Sequence, residues 1–243
     1  MLENKYDDDV FFEKYGEMSR SRLGLAGAGE WPTLQPMLPP FEGKRVLDLG
    51  CGYGWHCLWA AQHGAARVVG LDLSEKMLEV ARQKNTFEQI EYRRCAMEQA
   101  EFEPGSFDVV LSSLALHYIA DYAALVRRVH GWLAPGGRFI FTAEHPVFTA
   151  EGSQDWYRGE DGGILHFPVD RYFYEGARQA TFLGEQVTKY HRTLTTALRT
   201  LLQNGFTICD VAEPQPPAEM MGEPGMADEM RRPMMLIVAA QKL

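Results

Sequence analysis

Asp48, Gly50, Gly52 and Gly54 stand as D-x-G-x-G-x-G in the run VLDLGCGYG, between an apolar β-branched stretch and a helical pattern. Glycines at that point permit positive φ and let a ligand touch the main chain. The helix pattern that begins near Trp55 aims free N–H groups and the positive end of its dipole at the same spot, which favours a carboxylate or phosphate. A second acid, Asp72, closes the next apolar run 24 positions beyond Asp48, where a carboxylate can accept both hydroxyls of a ribose. A dinucleotide fingerprint needs its third glycine where Trp55 stands, and a phosphate loop needs GK[ST]; neither is present. The pattern implies a ribose without a pyrophosphate and disfavours NAD and ATP. His117, in LALHY, and His145, in EHP, each follow a later apolar run, and imidazole titrates in the range suited to a general base. His191 is a weaker third candidate.

Strands alternating with helices must position these groups. RVLDL (45–49), RVVGLDL (67–73), IEYRR (90–94), SFDVVLSS (106–113) and RFIFTA (138–143) read as strands. Helices begin near Trp55, after Ser74 and after Asp121, the last two being side chains suited to capping. This rhythm predicts a parallel sheet covered on both faces. A further strand, EQVTKYH, precedes a helix capped by Thr193, and FTICDVAEP and PMMLIVAAQK read as closing strands antiparallel to each other. Residues 144–185 are rich in aromatics and glycine without a clean period, too long for an ordinary connection.

Composition limits the partners. The 243 residues carry 24 Lys and Arg against 33 Asp and Glu, a net charge of −9, with no basic stripe to follow a phosphate backbone. Nucleic acid and anionic membrane are disfavoured. No run approaches the roughly 20 apolar residues of a membrane helix, and the acidic start MLENKYDDD lacks a secretory pattern, so a cytoplasmic protein is expected. Cys51, Cys57, Cys95 and Cys209 show neither CxxC nor paired histidine spacing, and no metal site is expected.

VLDLGCGYG, GLDLS, SFDVVLSSLALHY and LAPGGRFIFT, in order from Val46 to Thr142, resemble the successive motifs of class I S-adenosylmethionine-dependent methyltransferases of the type 11 group. GAGEWP, EHPVFTA, YHRTL and RRPMMLIV resemble an uncharacterised bacterial branch of that group. The resemblance implies an α/β, Rossmann-like, seven-stranded, mostly parallel sheet with helices on both faces and an antiparallel final strand. It implies one domain: an N-terminal lid segment (1–42), a cofactor-binding core (43–143), an insertion (144–185) and a C-terminal part of the sheet (186–243).

The resemblance also distributes roles. Gly50, Cys51, Gly52 and Gly54 would hold the methionine moiety, with Asp48 answering its ammonium, and Asp72 would clasp the ribose. Leu73 and Met77 would pack on adenine. The acid that many members place on the adenine amino group is replaced by Ala96, so that contact is lost or moves to Glu98, and main chain at Ala96 and Met97 takes over. Ser112 would offer its carbonyl near the sulfonium. Tyr15, Arg20 and Trp31 are lid candidates, with Arg20 able to meet the cofactor carboxylate. Glu144 and Tyr118 would shape the pocket, and His117 and His145 are the base candidates. The insertion, with Trp156, Tyr157, Tyr172, Phe173 and Tyr174, is read as a lid over an apolar or planar acceptor, with a homodimer surface as the alternative. The [DN]PP[YF] signature of nucleic-acid amino-methyltransferases is missing, which favours a small acceptor. The rival reading is a non-catalytic protein that binds the cofactor as a sensor or scaffold; a nucleotide-dependent oxidoreductase is a distant third.

Overall fold

The computed structural model describes residues 4–85 and 87–243; the first three residues of the expected lid segment lie outside it. The chain opens with short helices, α1 (Asp9–Glu17), α2 (Ser19–Leu23) and α3 (Trp31–Leu34). Alternation follows: β1 (Arg45–Leu49), α4 (Trp55–Gln62), β2 (Arg67–Asp72), α5 (Glu75–Lys84), β3 (Ile90–Arg94), β4 (Phe107–Ser113), α6 (Tyr122–Trp132) and β5 (Leu133–Glu144). Next come α7 (Pro146–Thr149), the hairpin β6 (Tyr157–Arg158) with β7 (Ile164–His166), and the hairpin β8 (Gly176–Phe182) with β9 (Glu185–His191). The chain closes through α8 (Leu194–Gln203), β10 (Phe206–Ala212), α9 (Met226–Glu229) and β11 (Met235–Lys242).

Helix starts follow the capping chemistry. Asp8, Ser74, Asp121 and Thr193 each accept the N–H three residues on, satisfying a donor that the first turn leaves open. The main sheet runs β10-β11-β5-β4-β1-β2-β3, and β11 alone runs opposite to the other six strands. β5 starts earlier than the expected Arg138, because the APGG turn stays paired to the edge of β4 through a register shift after Phe107.

Strand alternation divides the core. Leu47 and Leu49 of β1 face the layer holding Leu125, Val129 and Trp132 of α6, whereas Val46 faces Cys57, Ala60 and Ala61 of α4. EQVTKYH does not join the main sheet; it pairs with β8 in register from Gly176↔His191 to Phe182↔Glu185. The expected boundary at 185 falls inside this hairpin. Phe11 of α1, fully buried, packs on Ala180 and Val187, so the N-terminal helix and the hairpin meet each other. Among the described residues, no helix is long and apolar enough to cross a membrane.

Candidate functional site

The carboxyl ends of β1, β2, β4 and β5 open on a cavity of about 520 Å³. It lies where the strand order reverses between β1 and β4, the edge at which open α/β sheets bind ligands.

One half is built by the glycine loop and the end of β2. Gly50 and Cys51 donate their N–H groups to the Leu71 carbonyl at 2.9 and 2.8 Å, which holds the loop against β2. Gly50 has φ +73°, and a Cβ there would stand 2.5 Å from that of Ala115, so only glycine lets the β1 and β4 loops approach. Gly52, at φ +53°, has nothing nearer to such a Cβ than the Tyr15 hydroxyl at 4.0 Å; its missing side chain is cavity space. Asp72 accepts from Gly52 N through Oδ2 and from Ser74 N through Oδ1, both at 2.9 Å. Each oxygen keeps a lone pair for a ligand hydroxyl. Burial raises the Asp72 carboxyl above its ordinary range, and the two N–H bonds oppose that rise. Leu73, Met77, Ala96, Met97 and Glu98 complete this half. An acid, a glycine cradle and an apolar shelf thus fit a ribonucleoside carrying an amino-acid tail.

The other expected site residues divide between the cavity and the layers behind it. Asp48 shares a face of β1 with Val46 and is buried against α4, one layer behind the wall. Its Oδ2 accepts from Cys57 Sγ at 3.4 Å, Oδ1 has no partner, and burial pushes its carboxyl up to about 7. The Cys51 side chain turns into the same layer, 3.0 Å from where a Gly70 Cβ would stand, and burial pushes its thiol up to about 11. Gly54 is required by packing, since a Cβ there would lie 2.3 Å from the Tyr92 hydroxyl. Ser112 is a buried strand residue whose hydroxyl donates to the Leu49 carbonyl at 2.9 Å; Ser113, Leu114 and Ala115 form that wall instead. Leu114 takes φ +51°, unusual for a leucine, held by the Thr142 carbonyl and hydroxyl, which accept its N–H. The Arg20 side chain reaches the cavity, with Nη2 held by both oxygens of buried Glu30 at 2.7 Å. Trp31 is a core residue packed on Trp59.

The other half is the acceptor end. His117 and Glu144 come from the ends of β4 and β5, and Lys189 reaches in from β9. Lys189, 3% exposed, donates from Nζ to Glu144 Oε1 at 2.5 Å and to Gln154 Oε1 at 2.8 Å, and lies over the Phe182 ring at 5.3 Å. Gln154 Nε2 donates to the second Glu144 oxygen at 2.5 Å. Burial works to raise the Glu144 carboxyl, yet the charges of His117 and Lys189 and these hydrogen bonds hold it below its ordinary value. Burial pushes His117 down to about 4; its Nδ1 receives a long 3.5 Å contact from Glu144 N, and its Nε2 faces Glu144 Oε1 at 4.0 Å.

His145 does not join this group. It caps α7, Nδ1 accepting from Val147 N at 3.1 Å, and its Nε2 stands 2.8 Å from Glu213 on the far side of the strand end, off line for a hydrogen bond. Its position after the strand places its backbone at the right edge, but Pro146 starts a helix that carries the ring away. His191 is consumed between Thr149 Oγ1 and the Tyr172 carbonyl, each at 2.8 Å. Of the insertion aromatics, Phe173 and Tyr174 are 85% and 72% exposed, and Trp156 stacks under Arg232. None of the five lines the cavity; Phe182, Val187 and Lys189 of the β8–β9 hairpin do.

The sequence reading missed Tyr6 and Lys189. Tyr6 roofs the cavity edge-on to Tyr15 and Tyr118, its hydroxyl 3.2 Å from that of Tyr118. Its neighbour Asp7 accepts from Ser74 Oγ at 2.5 Å and from Lys76 N at 3.2 Å, fastening the chain start to the first turn of α5. The acidic run DDD was the available signal for a segment that docks on a helix N-terminus. Lys189 was visible only as an inward position in the alternation of EQVTKYH.

Residues 47–141 match the model of the family described as Methyltransferase domain. A solved S-adenosylmethionine dependent methyltransferase from Mesorhizobium loti is 46% identical, over 90% of this chain and 100% of its own, with a TM-score of 0.83. A Listeria monocytogenes protein, provisionally assigned the same activity, is 55% identical over 90% of this chain and 99% of its own, with a TM-score of 0.87. The ubiquinone biosynthesis O-methyltransferase of Neisseria meningitidis is 35% identical over 53% of this chain and 67% of its own. With the glycine cradle and Asp72 lying inside the matched segment, and the likeness to solved relatives extending over nine-tenths of the sequence, the chain belongs to the S-adenosylmethionine-dependent methyltransferases.

Proposed function

We propose that the protein methylates a small molecule held entirely within the cavity. The observation that carries this reading is the burial of the acceptor end. His117, Glu144 and Lys189 lie under a roof formed by Tyr6 from the chain start and Phe182 from the hairpin. A cavity of about 520 Å³ suits a cofactor with a compact acceptor, not a polymer lying in a groove. The net charge of −9 also disfavours a nucleic-acid substrate.

Bound at the glycine cradle, S-adenosylmethionine supplies a methyl group on a sulfonium, open to in-line displacement. Asp72 orients the ribose by accepting its hydroxyls, and Met77 and Leu73 give adenine an apolar shelf. Glu98, on the same wall, stands in for the acid replaced by Ala96. Asp48 acts through the loop: its unpartnered Oδ1 and raised carboxyl sit behind Gly50, where a cofactor ammonium would draw it into the ionised form. Arg20 faces the cofactor carboxylate. The chain's further tasks are to align the acceptor with the methyl and to exclude water, which the aromatic roof performs.

Calorimetric titration with S-adenosylmethionine and S-adenosylhomocysteine tests the cofactor half. Release of S-adenosylhomocysteine across a panel of small phenols, carboxylic acids and amines, against oligonucleotide and protein extracts, tests the acceptor. Turnover confined to the macromolecular fractions would overturn the small-molecule reading.

A further inference from the structure

Lys189 has a hydrogen-bonding vacancy that its partners do not fill. An ammonium carries three N–H donors. Glu144 Oε1 and Gln154 Oε1 take two of them, the Phe182 ring covers the cation from one side, and the remaining direction opens on the cavity wall to which Lys189 belongs. The side chain is 3% exposed, so that third donor is shielded from bulk solvent and meets a ligand or the cavity water that a ligand would displace.

Two further cations near Lys189 are held chiefly by main-chain carbonyls. β8 and β9 place Arg178 opposite Lys189 in register, on the same face of the hairpin. Arg178 is also buried, and its hydrogen bonds go to the carbonyls of Ala150, Ala177, Arg171 and Tyr174 rather than to a carboxylate. Arg192, just beyond β9, donates to the carbonyls of Leu116, Tyr190 and Ala120. Against these cations stand Glu144, bound to Lys189, Glu175, bound to Thr193, and, farther from Lys189, Glu151 acting on Arg178 and Asp121 acting on Arg192. The acids of the cofactor half, Asp72 and Glu98, lie at the opposite end of the cavity.

Among the described residues, the two side chains beside Lys189 best suited to take a proton are turned toward each other or toward Lys189. Glu144 is committed to Lys189 and Gln154, and both nitrogens of His117 are turned toward Glu144. An alkylamine acceptor, protonated in neutral water, needs such a base; a carboxylic acid or an acidified phenol, already ionised near neutral pH, does not.

We propose that Lys189 binds an ionised oxygen of the acceptor, a phenolate, enolate or carboxylate, so that the reaction is methylation at oxygen. This rests on the methyltransferase reading above. The acceptor loses its proton to water before or during binding, an oxygen lone pair forms the O–CH3 bond, and the S–CH3 bond breaks with its electrons passing to sulfur. The products are a neutral ether or ester and S-adenosylhomocysteine. Lys189 aligns the oxygen and lowers its proton affinity while leaving a lone pair free for attack.

The test uses the full chain with S-adenosylhomocysteine bound and 4-nitrocatechol as the probe, because its colour reports ionisation of the phenol. Benzoate serves as a carboxylate competitor, and 4-nitro-1,2-phenylenediamine as the amine of the same shape. The expected result is binding of the nitrocatecholate, seen as the phenolate spectrum at a pH where the free probe is neutral, or benzoate binding in its place, with no binding of the diamine. Lys189→Met weakens binding about tenfold or more. The double variant Lys189→Met, Glu144→Gln removes both charges together and leaves no buried charge unpaired; it is expected to bind S-adenosylhomocysteine normally and lose the oxyanion probe. The proposal is overturned if the diamine binds as well as the catechol, if neither oxyanion binds the loaded protein, or if the double variant still binds them. Failure to bind S-adenosylhomocysteine at all would overturn the cofactor reading first, and is read separately by calorimetry.

Discussion

Asp48→Asn offers a test in which stability and pH work together. The Asp48 side chain is 1% exposed, one oxygen has no partner, and burial raises its carboxyl from 3.8 to about 7. A carboxyl whose pKa is higher in the folded chain is protonated there over a range in which the unfolded chain is ionised. The folded state then binds more protons, so stability is full below the unfolded pKa and declines as pH rises until the folded pKa is passed. At 1.36 kcal/mol per pKa unit, the total penalty is about 4 kcal/mol. Most of it is already present at pH 6, and between pH 6 and pH 8.5 a further ~1.4 kcal/mol accrues before the curve flattens. Asparagine keeps the shape and cannot ionise.

Urea unfolding of wild type and variant at pH 6 and pH 8.5, both without ligand, isolates this group because other titrations cancel in the difference. The variant gains about 1.4 kcal/mol on the wild type across that interval. The cofactor moves the other way: binding of S-adenosylhomocysteine, whose ammonium favours the carboxylate, strengthens in the wild type as pH rises toward 7 and loses that pH dependence in Asp48→Asn. A stability difference independent of pH would refute the argument that the orphaned oxygen stores an ionisation cost. A pH-dependent stability difference with unchanged ligand affinity would refute the link to the ammonium.

Asp72→Ala removes the acceptor of both ribose hydroxyls and lowers S-adenosylhomocysteine affinity by more than about hundredfold in calorimetry, since each bond to a charged group is worth roughly 1.5–3 kcal/mol. Gly50→Ala forces a Cβ to within 2.5 Å of that of Ala115 at φ +73°, and lowers stability by about 3 kcal/mol in urea; Gly43→Ala, at φ +69° with nothing within 4 Å, costs about 1 kcal/mol. His145→Ala lowers stability by about 1 kcal/mol through the lost α7 cap and leaves kcat unchanged, whereas His117→Ala lowers kcat/KM about tenfold in assays of S-adenosylhomocysteine release.

What could be read from the sequence was what local spacing encodes. The alternation of β-branched strands with capped helices is a repeated local signal, and it specifies a parallel sheet covered on both faces; the seven-stranded order followed from the family resemblance. D-x-G-x-G-x-G marks the ligand edge for the same reason: a strand end, a bare turn and a helix start within one short segment. Which members of that segment face the cavity depends on where the strand ends, however: Asp48, still in β1, shares the face of Val46 behind the wall, while Gly50 and Gly52, in the loop beyond Leu49, form it. At the ends of β4 and β5 a one-residue difference decides the outcome. Ser112 points back into the sheet and Ser113 lines the cavity; Glu144 enters the acceptor end and His145 leaves with the helix that Pro146 begins.

The acceptor end was less readable because its partners are distant in sequence. Lys189 meets Glu144 across 45 positions, and Phe11 of the chain start meets the β8–β9 hairpin across an even longer separation. Such contacts are fixed by the packing of a whole hairpin, which leaves only a faint alternation in EQVTKYH. The aromatic run from 156 to 174 pointed to a lid by composition, yet the cavity is lined by Tyr6 of the chain start and by the hairpin that follows the run, through Phe182, Lys189 and Tyr190. In the proposed reading, the cofactor end comes mainly from the stretch Gly50 to Glu98 with Arg20 added from the chain start, whereas the acceptor end is assembled from the ends of β4 and β5 and the hairpin. The acceptor can change when the hairpin changes, with the glycine cradle and Asp72 left as they are.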